Sequence, residues 1–323
     1  MSEETVSEVG ESGLILDISA RIGSPPPGEA WTGDDAAVVG FAGARLLLTT
    51  DIVVQGVDFD PAYSTGADVG WKVVAINASD VAAMGGRPLH ALATLGLPPD
   101  TSRRFVDQLM DGMLDAAERW SIRLVGGDIS AAGEVSVGIA MTGVPIGSPV
   151  LRSGARPGDA ICVTGSLGGA AGGLIALRGG VDAPGLARRH LRPEARVDEG
   201  AKVARAGASA MIDLSDGLAV DLARLMEASG TGCEVDTASI PVDEGLAALG
   251  DAAEPLELSI LGGEDFELLF TISEEALAGL TASTTEPSTA ITRIGTVTAG
   301  EARLGNDALS RWRERGWDHL LAK

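Results

Sequence analysis

The carboxylates of this chain that could do chemistry come in short punctuated clusters. Reading forward they are Gly33-Asp34-Asp35-Ala36-Ala37, Thr49-Thr50-Asp51, Asn77-Ala78-Ser79-Asp80, Gly126-Gly127-Asp128, Asp213-Leu214-Ser215-Asp216-Gly217 and Gly262-Gly263-Glu264-Asp265. Each lies beside glycine or a hydroxyl residue at the edge of an apolar stretch, where solvated surface carboxylates do not usually sit. At strand ends and turns such groups are well placed to converge on divalent cations. Mg²⁺ suits this donor set, because it takes oxygen ligands, keeps waters, and is commonly held by one or two carboxylates plus substrate phosphates. Histidine is scarce: His90, His190 and His319 are the only three. That argues against zinc hydrolysis and against histidine general bases.

The elements that must position these clusters follow from periodicity and punctuation. Helical spacing over 12–22 ends at Pro25-Pro26-Pro27-Gly28. Short strands are expected at 36–39 and 45–50, with Phe41-Ala42-Gly43 as their turn. A long helix is expected over 64–84, capped by Ser64 or Thr65 and stopped by Gly85-Gly86. Strands at 90–97, 122–125 and 134–144 and a helix at 101–120 complete a first unit. A Gly/Pro/Arg/Ser-rich stretch, 148–159, marks the boundary. Beyond it come a strand at 160–164, a glycine-rich turn feeding a helix, helices at 184–190 and 195–207, a strand ending at Asp213, a helix at 217–229 and a strand at 266–272, followed by a mixed tail. The chain of 323 residues is too long for one compact core. The expectation is an α/β (α+β) chain of two domains with mixed sheets: an acidic disordered tail at 1–12, a first domain at 13–148 and a second at 149–323.

Bulk composition excludes other classes. With 46 acidic against 24 basic residues the net charge is −22, which disfavours nucleic acid as a partner. Most of that charge reads as a solubilising surface. No apolar run is long enough to span a bilayer, and the acidic start is unlike a signal peptide, so the expected compartment is the cytoplasm. The two cysteines, Cys162 and Cys233, fall in expected strands and make no disulfide framework or cysteine zinc site. Neither a P-loop nor a kinase Gly-rich loop is present. Gly165-Ser166-Leu167-Gly168-Gly169 reads as a strand-to-helix turn or as a phosphate contact. An acidic protein without a P-loop lysine should repel a nucleoside triphosphate, but a bound cation reverses the local sign. The clusters therefore point to phosphoryl transfer in which metals take the lysine's role.

Taken in order, the clusters above together with Trp71-Lys72, Met84-Gly85-Gly86, Arg152-Ser153-Gly154-Ala155, His190-Leu191-Arg192-Pro193 and Glu264-Asp265-Phe266-Glu267-Leu268 closely resemble the thiamine-monophosphate kinases, from about Gly13 to Trp317. The resemblance implies the fold shared with aminoimidazole ribonucleotide synthetase and selenophosphate synthetase, a homodimer formed through the N-terminal domains, and ATP in a cleft near the interface. It implies a reaction in which ATP and thiamine monophosphate give ADP and thiamine diphosphate with several Mg²⁺ ions. It also implies roles: Asp35, Thr49, Thr50, Asp51, Asp80, Asp128 and Asp213 as Mg²⁺ ligands, and Asp216 as ligand of a further ion. Trp120, Gly127, Asp128, Arg152 and Ser215 would contact ATP, and Glu264 and Trp317 the acceptor. Where the family often has histidine before a phenylalanine, this chain has Asp58 before Phe59, so Asp58 is expected to face the cationic thiazolium as a carboxylate.

The acceptor phosphate, with a second pKa of about 6, is largely dianionic near neutrality. It needs no base, so none is named and no phospho-enzyme residue is expected. Plainer readings stand beside the sharp ones. Asp34 reads as a turn residue as readily as a ligand. Asp265 reads as structural, Ser79 as a helix-surface hydroxyl, Trp31 and Trp71 as core or interface residues, and His190 as a loop anchor. Another ATP-dependent activity of the same fold is disfavoured by the absence of cysteine from residues 1–35 and by the Asp-Leu-Ser-Asp-Gly and Gly-Gly-Glu-Asp-Phe forms. A non-catalytic scaffold would not need so many metal-type clusters.

Overall fold

The computed structural model describes residues 6–282 and 289–316. Helix α1 (Val6–Ile22) begins inside the stretch expected to be a tail and breaks once, at Gly10. Strands β1 (Ala37–Phe41) and β2 (Ala44–Val54) form a hairpin through Ala42 and Gly43. β2 outruns its expected end at Thr50 because pairing with a later strand continues unbroken from Leu47 to Val54. Helix α2 (Gly66–Ala83) has Thr65 as N-cap, in a reciprocal capping box with Asp68. Gly85, at φ 66°, turns the chain out of it.

β3 (Gly86–Leu97) starts four residues earlier than expected, through Pro88. Proline is tolerated because the neighbouring strand on that side begins only opposite His90, and the register slips between Pro88 and His90. After α3 (Arg103–Arg119), β4 (Arg123–Ala131) runs on through Gly126-Gly127-Asp128 in parallel with β3. β5 (Ser136–Pro145) completes a five-stranded sheet of order β1-β2-β5-β3-β4. α2 and α3 cover one face, around Val73, Val81, Leu109, Met113, Val137 and Ile139. They cross closely: a side-chain carbon at Gly112 would strike the Ala67 carbonyl. The other face is open, with Leu48, Ile52 and Leu92 38%, 59% and 48% exposed.

The second unit contains β6 (Ala160–Thr164), α4 (Gly169–Gly179), α5 (Pro184–Leu191), α6 (Val197–Ala206), β7 (Ala210–Asp213), α7 (Leu218–Ser229), β8 (Gly232–Val235), α8 (Pro255–Leu261), β9 (Leu268–Ile272), α9 (Glu274–Ala282), β10 (Ile291–Thr298), β11 (Arg303–Leu304), β12 (Asp307–Ala308) and α10 (Leu309–Arg313). Its seven strands run β12-β11-β8-β10-β6-β9-β7, and only β11–β8 is parallel. The expected mixed tail therefore supplies an interior strand, β10, between β8 and β6. Cys162 in β6 and Cys233 in β8 are buried and free.

α2 also packs against α6 and β7, so closely that a side-chain carbon at Gly200 would meet the Ala82 carbonyl. Wedged between the two units, α2 buries three polar residues, Lys72, Asn77 and Ser79. Lys72 lines the site, Asn77 accepts the Asp51 N–H and Ser79 donates to Asp213. No helix among the described residues is long and apolar enough to cross a membrane.

Candidate active site

Four segments converge at the seam between the units. The loop before β1 carries Asp34 and Asp35, β2 carries Thr49, Thr50 and Asp51, the last turns of α2 carry Ser79 and Asp80, and β7 ends on Asp213. Together they floor a cleft of about 970 Å³, which Asp58, Lys72, Arg152, His190, Ser215, Asp216 and Glu264 also line. Asp35, Asp80 and Asp213 each offer an oxygen within 4.8 Å of the others. Local bonds fix these carboxylates. Thr49 Oγ1 donates to Asp80 Oδ2, and Ser79 Oγ donates to Asp213 Oδ2 at 2.5 Å. Arg152 Nη2 donates to Asp35 Oδ1 at 2.7 Å. The Asn77 amide oxygen accepts the Asp51 N–H at 3.0 Å, which pins β2 to α2.

The floor is electrostatically incomplete. Burial, then repulsion from Asp51, Asp213 and Asp35, pushes Asp80 well above the ordinary carboxylate range. Burial and Asp35 do the same to Asp213. Burial raises Asp51 to about 6, with Asp35, Asp58 and Asp216 adding to it. Asp35 Oδ2 is buried without a hydrogen-bond partner. Burying carboxylates this close together is costly unless a cation joins them. The orphaned oxygen, the short mutual separation and the all-oxygen donor set fit a hard divalent cation such as Mg²⁺.

Around Asp216 the balance differs. Its carboxylate accepts from Arg224, which also bonds Asp221 at 2.9 Å. The fully buried Asp221 receives the Asp216 N–H at 3.0 Å. Burial and then Asp216 hold Asp221 at about 7. Asp221 escaped the sequence reading, although a carboxylate inside the apolar run Leu218–Leu222 was a signal. Asp34 accepts the Arg152 N–H at 2.7 Å and so anchors the interdomain connection.

The opposite wall is neutralised from within. Glu264 lies in the Gly262–Glu267 segment, which is laid beside the Asp213 loop by Glu264 N–H to Ser215 O at 2.8 Å and Phe266 N–H to Leu214 O at 3.0 Å. Its Oε1 is 2.5 Å from Lys72 Nζ and its Oε2 3.1 Å from His190 Nδ1. Burial alone would raise its pKa, but Lys72 and His190 outweigh that and hold it at about 2. Lys72 and His190 thus belong to the site. A lone lysine in the apolar stretch of α2 was the available signal. Asp58 lines the cleft, with Oδ2 accepting the Val54 N–H at 2.7 Å. Asp265 is structural: it accepts the Gly168 and Ala170 N–H groups at 2.6 and 3.0 Å and caps α4. The Gly165–Gly169 segment is accordingly a strand-to-helix turn, in which the Gly165, Leu167 and Gly168 N–H groups donate to Ala290 O, Pro241 O and Asp265.

Other expected site residues lie elsewhere. Trp120 is 7% exposed, packs at 5.3 Å against Trp71 and donates to Ala195 O at 3.2 Å, outside the cleft lining. Gly127 and Asp128 are exposed on β4. Asp128 pairs with Thr94, Thr94 with Gly138 and Gly138 with Ile52. Three strand spacings, roughly 14 Å, therefore separate Asp128 from β2, too far to share an ion with Asp51 in the same chain. Trp317 lies outside the described residues.

Comparison with known proteins matches this architecture. Residues 33–145 match the model for the N-terminal domain of AIR synthase related proteins, and residues 156–304 the model for their C-terminal domain. The thiamine-monophosphate kinase of Aquifex aeolicus is 35% identical over 322 residues, covering 98% of this chain and 99% of that protein. The enzyme of that name from Rhodopirellula baltica is 35% identical over 299 residues, 89% of each chain. The solved structure of AaThiL complexed with AMPPCP and TMP superposes with a TM-score of 0.86 at 33% identity, over 99% of this chain and 100% of that one. Escherichia coli HypE, a hydrogenase maturation protein, shares the fold alone, with a TM-score of 0.68 at 19% identity over 91% of this chain and 93% of that one. A chain with this two-unit architecture, this acidic cleft and these relatives belongs to the AIR synthase related family and, within it, to the thiamine-monophosphate kinases.

Proposed function

We propose that this protein transfers the γ-phosphoryl group of ATP to thiamine monophosphate, giving ADP and thiamine diphosphate by direct in-line displacement. The observation that carries the reading is the knot of Asp35, Asp80 and Asp213 on the cleft floor, which has too few internal cations for its charge. The structure of AaThiL with AMPPCP and TMP, an ATP analogue and an acceptor, supports the substrate pair.

Mg²⁺ ions bound there would supply charge neutralisation for two phosphate groups that otherwise repel. Asp35, Asp80 and Asp213 would hold them, with Thr49, Thr50 and Asp51 alongside and Asp216 holding a further ion. Ser79 and Thr49 fix carboxylate orientation through the hydrogen bonds above. Arg152, tied to Asp35, and Ser215 stand at the edge where triphosphate oxygens would lie. Asp58 and Glu264 face the acceptor. The acceptor is already dianionic near neutrality. Positioning and charge stabilisation then suffice, and no side chain is asked to move a proton.

The open face of the five-stranded sheet supports a homodimer. Its exposed Leu48, Ile52 and Leu92 form an apolar surface of the kind that marks an interface. Pairing through this face is also the arrangement in which Gly127 and Asp128 can join a nucleotide site, since within one chain they lie three strands from β2. The cytoplasm is the matching compartment, with both cysteines free.

The test is ADP release by purified protein with ATP, Mg²⁺ and, in turn, thiamine monophosphate, thiamine and aminoimidazole precursors. Turnover is expected with thiamine monophosphate. Its absence there, or turnover with an aminoimidazole precursor, would overturn the reading.

A further inference from the structure

Lys72 is the only basic residue of α2 and is 4% exposed. A buried ammonium is costly unless it is paired, and this one joins two places. Its Nζ donates to the Asp58 carbonyl at 3.0 Å, in the turn after β2, and meets Glu264 Oε1 at 2.5 Å, in the loop before β9. One ammonium thus ties a loop of the first unit to a loop of the second, both on the cleft. Glu264 itself sits at φ 66°, with Phe266 at 50°. Non-glycine residues adopt that left-handed region only where their surroundings over-determine it, and such strain gathers at functional sites.

The pairing changes what Glu264 can offer a ligand. With Lys72 against one oxygen and His190 beside the other, its charge is already answered, so attraction to a cationic ring is largely spent. What remains is a fixed acceptor whose spare lone pairs point in defined directions. The matching substrate feature is an N–H donor on the acceptor, such as an amino group on its heteroaromatic ring.

We propose that Lys72 is a positioning residue for acceptor recognition, acting through Glu264 by locking that carboxylate across the domain seam so that it accepts a hydrogen bond from the acceptor's amino group. The inference rests on the reading of the cleft as a thiamine monophosphate site.

The experiment compares wild type, Lys72→Met, Glu264→Gln and the double variant by ADP release, varying thiamine monophosphate and ATP separately at saturating Mg²⁺. Each single variant is expected to raise the KM for thiamine monophosphate by about tenfold or more while the KM for ATP stays within about twofold. The double variant should match Glu264→Gln within about twofold if Lys72 acts through Glu264, whereas a role through its bond to the Asp58 carbonyl would add a further rise. Losses that multiply in the double variant, equal rises in both KM values, or a lower kcat with unmoved KM would each overturn the proposal. Lys72→Met leaves a half-buried carboxylate without its cation. If it fails to fold, the double variant, which removes both charges, decides alone: equality with Glu264→Gln supports the proposal and a further rise of about tenfold defeats it. Wild type that releases no ADP with thiamine monophosphate removes the functional reading itself. Wild type that turns over while the variants keep its KM removes only the role of Lys72.

Discussion

Asp80 and Glu264 are both half-buried carboxylates on one cleft, yet they sit at opposite ends of the carboxylate range. Asp80 is surrounded by Asp35, Asp51 and Asp213 and is pushed well above its ordinary value. Glu264 is paired with Lys72 and His190 and is held at about 2. Glu267, fully buried three residues further along, extends the second pattern: Arg196 reaches it at 2.5 Å, Arg189 at 3.2 Å and Thr164 at 2.6 Å. Burial is common to all three, so burial does not mark function. The difference lies in where the compensating charge comes from. The Glu264 wall and the Glu267 network carry their own cations and are finished as folded, whereas the floor awaits charge from outside.

The sharpest way to break this comparison is to remove a carboxylate from the floor. Asp80→Asn or Asp51→Asn is expected to lower kcat/KM by on the order of 10³ or more, about 4 kcal/mol of transition-state stabilisation. Thermal unfolding in EDTA should show no loss of stability, and a gain is expected for Asp80→Asn, since it relieves repulsion. Near-wild-type turnover at saturating Mg²⁺ would remove the metal assignment.

The same chemical change in the finished region should act in reverse. Glu267→Gln strips the carboxylate from Arg189 and Arg196 and leaves two partly buried cations underpaired. Removing one partner of a buried ion pair costs about 3–5 kcal/mol, so the urea midpoint should drop steeply. Activity per folded molecule should change far less than in Asp80→Asn. A urea midpoint equal to that of wild type would show that the network contributes no stability and would blur the contrast.

A third expectation concerns pH. Two buried carboxylates have raised folded values, Asp51 on the floor moved from 3.8 to about 6 and Asp221 beside Asp216 from 3.8 to about 7. The folded state therefore binds more protons than the unfolded state between about 4 and 7, and stability falls as pH rises through that window. Glu264 works the other way: its contribution is present above 4.5 and is lost as pH falls toward about 2. In EDTA the thermal midpoint should therefore decline from pH 5 to pH 8. Mg²⁺ should restore it, by an increment that grows with pH because the ligands must be deprotonated. The effect is on the order of a few kcal/mol. A midpoint in EDTA that is flat across this range, or a Mg²⁺ increment independent of pH, would contradict the incomplete-floor picture.

How much of this was legible in the sequence follows from which forces are local. α2 was readable because its cap, Thr65 with Asp68, and its stop at Gly85 lie next to the residues they govern. The floor aspartates were readable because each falls at the edge of an apolar run. β10 was not, because what makes Ile291–Thr298 an interior strand is pairing with β8 and β6, about 60 and 130 residues away in sequence. For the same reason the sequence joined Asp128 to the cluster, although the strand order sets β5 and β3 between β4 and β2. Lys72 was read only as part of a motif and given no role, and Asp221 was passed over, because their meaning is a partner in space, Glu264 for one and Arg224 with the Asp216 amide for the other.

The smallest expected effect tests whether the finished wall depends on packing beneath it. Trp120 lies against Trp71, the residue before Lys72, and Trp71 Nε1 in turn donates to Pro193 O at 2.7 Å, three residues beyond His190. Trp120→Phe keeps an aromatic ring there but removes the hydrogen bond to Ala195 O, at a cost of about 1 kcal/mol. A modest fall in the thermal midpoint is expected, with the KM for ATP within about twofold of wild type and that for thiamine monophosphate within about threefold. A selective rise in the KM for ATP would instead return Trp120 to the nucleotide role that the sequence resemblance implies. A selective rise for thiamine monophosphate would mean that the Lys72–Glu264 pair is held by the indole stack as well as by its own charges. An unchanged pair of constants with a small stability loss would separate the two properties, since the position of Glu264 would then be set by the ammonium and imidazole that touch it and not by the core behind them.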